Sequence, residues 1–125
     1  MEKVPNKLLL GKRVLVAEDD VFAAFDIMKT LREAGAEILV PAMSLARALE
    51  FATEDLDCAV LDIMLRDGPV FQAARLLRQQ GVGLVFYTGY FDLDRLNREW
   101  PGAQVLLKPA SPNLLVQAVR AACTL

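Results

Sequence analysis

Val14-Leu-Val-Ala-Glu-Asp-Asp20 is the stretch from which the rest of the chain is read. Four apolar or small residues, two of them β-branched, stop without transition at three carboxylates. Short apolar runs of this kind form buried strands, so the acidic residues fall at a strand's carboxyl end. The construction recurs. Cys58-Ala-Val-Leu runs into Asp62, Leu84-Val-Phe-Tyr into Thr88, and Val105-Leu-Leu into Lys108-Pro109. Glu37-Ile-Leu-Val-Pro41 reads as a further strand.

Between these runs the apolar spacing turns helical. Phe22, Phe25, Met28 and Leu31 predict a helix over 21–34 that stops at Gly35. Ser44 is a good N-cap for a helix carrying Leu45, Ala48, Leu49 and Ala52. Phe71, Ala74 and Leu77 predict a third helix over 70–80, ending at Gly81. A short fourth covers 93–99, closed by Pro101-Gly102, and a fifth opens at Ser111 or Asn113 and runs to about Ala122. Alternating strands and helices imply right-handed crossovers and a doubly wound parallel sheet, an α/β fold covered on both faces. In such sheets function gathers beyond the carboxyl ends of the strands. Those ends carry Glu18, Asp19, Asp20, Asp62, Thr88 and Lys108.

Composition narrows the classes. The chain has 125 residues, 54% of them hydrophobic, which suits one domain with its own core and not a disordered chain. Mean hydropathy is +0.32, yet no apolar run reaches a membrane span and no stretch has signal-peptide flanks. A cytoplasmic domain away from the membrane is expected. Lys and Arg number 14 against 16 Asp and Glu, a net charge of −2, so the basic excess of a nucleic-acid binder is missing. With no histidine, Ser-His and Cys-His catalysis, His-ligated zinc and a phosphodonor role are excluded. Cys58 and Cys123, isolated and flanked by apolar or small residues, read as buried free thiols.

The polar strand ends form a chemical set. Converging carboxylates repel, and a hard divalent cation such as Mg²⁺ relieves them through oxygen ligands. Lys108 adds a compact positive charge suited to phosphate, and Thr88 adds a hydroxyl. An Asp among such groups can accept a phosphoryl group as an acyl phosphate. Taken singly, each signal is weaker. Glu18-Asp19-Asp20 reads as a solvated helix start, Lys108 as a surface lysine and Thr88-Gly89 as a turn; Asp67-Gly68 is read as a turn and Trp100 as packing.

The four segments in register, over about residues 12–124, resemble the receiver domain of bacterial response regulators. The resemblance implies a flavodoxin-like (βα)5 fold with strand order 2-1-3-4-5, spanning 12–125 after an N-terminal extension of 1–11. It implies Asp62 as phosphoacceptor, and Glu18, Asp19, Asp62 and the Met64 carbonyl as ligands of Mg²⁺. It implies Thr88 and Lys108 as the phosphate-binding switch pair, a cis Lys108-Pro109 bond, and secondary roles for Asp20, Tyr90 and Pro109. The implied donor is a histidine kinase or histidine phosphotransferase and the implied output a downstream protein, with the domain a monomer or a weak phosphorylation-dependent dimer. The implied activity is a switch, not an enzyme. The sequence departs from the family in three ways. The proline that often follows the phosphoacceptor is absent, Val105 stands where many receivers carry a switch aromatic, and bulky Met64 and Tyr90 flank the expected path of attacking water. Slow self-dephosphorylation is expected. The last helix ends the sequence, so a single-domain regulator, a phosphate shuttle and a receiver excised from a longer protein all remain open. A phosphorylation-independent interaction module is the alternative. A haloacid-dehalogenase-type phosphatase would need a second Asp where Met64 stands, and a flavodoxin-like cofactor binder would need a glycine-rich turn after the first strand.

Overall fold

The computed structural model describes residues 7–89 and 91–123. In chain order the elements are β1 (Arg13–Ala17), α1 (Val21–Glu33), β2 (Glu37–Ile38), α2 (Leu45–Phe51), β3 (Cys58–Leu61), α3 (Phe71–Gln79), β4 (Gly83–Thr88), α4 (Leu93–Glu99), β5 (Gln104–Leu107) and α5 (Pro112–Cys123). The five strands make one parallel sheet in the order β2-β1-β3-β4-β5, as expected. A two-stranded hairpin, Met64–Leu65 against Gly68–Pro69, lies between β3 and α3. The sequence shows it only as a short loop.

Strand alternation divides the core in two. Leu15, Ala17, Ala59, Leu61, Leu84 and Phe86 pack with α2, α3 and α4. Val14, Val16, Cys58, Val60, Val85 and Tyr87 pack on the other face with α1 and α5. Trp100 belongs to the first core. It stacks on Phe71 at 5.7 Å and meets Phe86 edge-on at 5.3 Å, which bears out its reading as packing.

Three local details go beyond the sequence reading. Of the α1 stripe, Met28 and Leu31 are buried, but Phe22 and Phe25 are 83% and 57% exposed. Steps of three residues each fall about 60° short of a full turn, so three steps carry a stripe about 180° around the helix. The inward face is Ala24, Ile27, Met28 and Leu31. Strand β2 is shorter than 37–41 because Pro41 has no N–H to donate, and pairing resumes only at Ala42. Within the expected N-terminal extension, Leu9 is fully buried in the second core and its N–H donates to Ala34 O at 2.9 Å.

Gly83 fixes how α5 seats on the sheet. A Cβ there would stand 2.1 Å from the Ala122 carbonyl oxygen, so the helix end rests directly on the strand backbone. Gly83→Ala is expected to destabilise the fold by about 3 kcal/mol, through overpacking with no flexible neighbour to yield. Urea unfolding checks it, and a loss under about 0.5 kcal/mol would contradict this packing.

Candidate functional site

Parallel pairing brings four strand ends to one edge of the sheet. The Asp62 N–H donates to Ala17 O at 2.9 Å, and the Lys108 N–H to Thr88 O at 2.8 Å. Past β1 the Glu18 N–H donates to Ala42 O at 2.9 Å, and this turns the Glu18 side chain inward. Glu18 is 1% exposed, and the Lys108 ammonium holds it there while also donating to Asp62 Oδ2 at 3.0 Å. The Asp20 N–H adds a bond to Glu18 Oε2 at 3.1 Å.

The electrostatics follow from burial and partners. Burial pushes the Glu18 carboxyl up from its ordinary value, against the opposing pull of Lys108 and the Asp20 N–H. Burial pulls the Lys108 ammonium down, but its bonds to Glu18 and Asp62 outweigh that and hold it above the usual lysine value. One lysine therefore stands between two carboxylates.

Carboxylate oxygens of Glu18, Asp19 and Asp62 all lie within 4.8 Å of one another. Thr88 is the last residue of β4 and is 3% exposed. Other expected residues stand in different positions. Asp20 is exposed and caps α1, accepting from the Phe22 and Ala23 N–H groups at 2.9 and 3.1 Å. The Met64 side chain is 56% exposed on the hairpin. Lys108-Pro109 is cis. Val105 pairs with Phe86 and packs, partly buried, on the first core. Tyr90 lies outside the described residues.

Several solved structures share this architecture. A response regulator receiver protein from Sinorhizobium medicae WSM419 shares 26% identity, with 90% of this chain and 94% of that one covered, at a TM-score of 0.81. A CheY-like receiver domain protein from Methanospirillum hungatei JF-1 shares 24%, over 87% and 90% of the two chains, at 0.77. The response regulator PhyR from Brucella abortus shares 24% at 0.78, matched over 92% of this chain and 49% of its own. The chain has the fold of a response regulator receiver domain. No protein-family model and no curated protein matches the sequence.

Within this receiver fold the acidic set suits a hard cation. Its donors are carboxylate oxygens only, crowded closely enough to repel, with no thiol or imidazole beside them. The sequence reading missed two residues at the rim. Tyr87, taken only as strand, accepts a bond from the chain just after Lys108. Asp67, taken as a turn, forks onto the start of α2: its oxygens accept from the Leu45 N–H at 2.6 Å and the Ala46 N–H at 3.1 Å. Ser44 caps the same helix through the Arg47 N–H at 3.1 Å. Neither distant contact has a sequence signal, because 22 residues separate Asp67 from Leu45.

Those N–H bonds hold the Asp67 carboxyl below its ordinary value. A lowered folded value means the charged form stabilises the fold above the unfolded value, and that support fades as pH falls through the folded one. Comparing thermal unfolding of the wild type and Asp67→Asn should show a gap that is full near neutrality and closes below about pH 4. A gap that does not change with pH would contradict this role for the carboxylate.

Proposed function

We propose that this chain is a phosphoacceptor switch of a two-component or phosphorelay system, taking a phosphoryl group from a phosphohistidine onto Asp62. The observation that carries this reading is Lys108 spanning Glu18 and Asp62 at the strand ends, with Asp19 in the same carboxylate cluster. A lysine held against one particular Asp can follow the charge from the carboxylate to a phosphoryl group on it.

In the proposed reaction an Asp62 oxygen attacks phosphorus, the donor's N–P bond breaks, and the freed imidazole nitrogen leaves with its electron pair and takes a proton. Lys108 then pairs with the phosphoryl oxygens, and the Thr88 hydroxyl donates to another. Glu18, Asp19, Asp62 and the Met64 carbonyl would hold Mg²⁺, which supplies positive charge against the crowded carboxylates and the incoming phosphate. Phe22 and Phe25, exposed on the first turns of the helix that starts at the acidic cluster, favour a protein as donor. No helix among the described residues is long and apolar enough to cross a membrane, which is compatible with a cytoplasmic site of action. The product is a switched surface for a downstream protein, on a monomer or a weak phosphorylation-dependent dimer. Exposed, bulky Met64 carries no group to orient water, so the acyl phosphate is proposed to turn over slowly.

Acetyl phosphate with Mg²⁺ should add one phosphoryl mass to the intact protein. The increment should vanish in Asp62→Asn and with EDTA, and on the wild type it should persist for minutes after the donor is removed. Decay within seconds would overturn the slow turnover. No increment, together with no response to beryllofluoride, would favour the phosphorylation-independent module.

A further inference from the structure

Tyr87 has no part in the reaction as written, yet it holds the arm that carries Lys108. Thr88 and Tyr87, adjacent on β4, grip that arm at two points. The Thr88 carbonyl accepts the Lys108 N–H at 2.8 Å, and the Tyr87 hydroxyl accepts the Ala110 N–H at 2.9 Å. Tyr87 itself is 8% exposed, with its ring fixed in the core against α1 and α5. The Lys108 ammonium stands 5.8 Å from the centre of that ring, within reach of its negative face.

The arm has somewhere else to go. A cavity of about 190 Å³ is bounded by Ala23, Asp26, Ile27, Tyr87, Lys108 and Pro109. Exposed Asp26 there is a further carboxylate, besides the Glu18 and Asp62 that the lysine already pairs with. With Pro109 unable to donate, Ala110 offers the first backbone N–H after the lysine. The Tyr87 bond to it ties down the far side of the lysine's turn, just ahead of the Ser111 cap of α5, where Ser111 Oγ accepts the Leu114 N–H at 3.2 Å.

We infer that Tyr87 is a positioning residue for phosphoryl transfer: its hydroxyl holds the Lys108 arm so that the ammonium faces Glu18 and Asp62 instead of the neighbouring cavity. The inference rests on the phosphoacceptor reading and adds to it a residue that touches neither phosphate nor metal.

Tyr87→Phe removes only the hydroxyl and keeps the ring that the core needs. The initial rate of phosphoryl gain from acetyl phosphate, read by intact mass at saturating Mg²⁺, is compared in four proteins: wild type, Tyr87→Phe, Lys108→Ala and the double variant. Tyr87→Phe should be slower than wild type by about fivefold, the worth of one ordinary neutral hydrogen bond. In the Lys108→Ala background the same change should have no further effect, because the hydroxyl acts through the lysine. Equal slowing in both backgrounds would mark Tyr87 as merely structural and overturn the inference, as would an unchanged rate in Tyr87→Phe. A wild type that takes up no phosphoryl group and also shows no response to beryllofluoride overturns the phosphoacceptor reading and this inference together, so the two failures are told apart.

Discussion

Like charges gathered at one edge of a sheet repel, and the Lys108 ammonium lies between Glu18 and Asp62 in answer to that repulsion. Glu18 is almost wholly removed from water, where a lone carboxylate would be very costly. Lys108 and the Asp20 N–H supply its partners, and burial still lifts its pKa. The arrangement joins the first strand to the last: Glu18 follows β1, Lys108 follows β5, and ninety residues separate them. It forms only if the sheet is wound in the observed order with the strands in the observed register. The site is thus a consequence of topology, and the lysine is the contact that closes it.

The rest of the fold can be read as support for that edge. Gly83 lets α5 sit directly on the sheet, and the helix then starts a few residues beyond Lys108. Asp20 caps α1 with its side chain while its own N–H reaches back to Glu18, so one residue starts the helix and orients the carboxylate. Asp67 does the comparable work on the other side. It ties the hairpin after Asp62 to the first turn of α2, a helix of seven residues too short to persist alone. Caps that serve helices in most proteins here also fix the loops around a site.

Much of this was legible in the sequence because it is local. Strand composition, the Ser44 cap, the glycine stops and the polar residue after each apolar run are short-range signals, and they placed the sheet and gathered Glu18, Asp19, Asp62, Thr88 and Lys108. What escaped depends on distance or on helical phase. Phe22 and Phe25 match an apolar spacing that drifts around α1, so the spacing that predicts the helix does not tell which of its residues lie in water. Asp67 and Tyr87 work through partners 22 and 23 residues away, which no pattern along the chain announces. The hairpin at Met64–Pro69 has two-residue strands, below the length at which alternation can be recognised.

Two kinds of contact surround Asp62. On one face of the sheet, Phe71, Phe86, Phe91 and Trp100 interlock, with Arg78 lying 4.3 Å over the Trp100 ring. Val105 sits against this core with no polar atom and no long side chain to exchange between positions. A close-packed aromatic group of this kind resists gradual deformation. Around the site itself the connections are hydrogen bonds at loop positions: Asp67 to α2, Tyr87 to Ala110, and the Val70 N–H to Ile63 O at 2.7 Å. Such a bond holds a loop at one named atom, whereas a packed ring leaves a void when it moves. Next to Asp62 the structure is therefore held by hydrogen bonds toward α2 and the start of α5, and by ring packing behind α3 and α4.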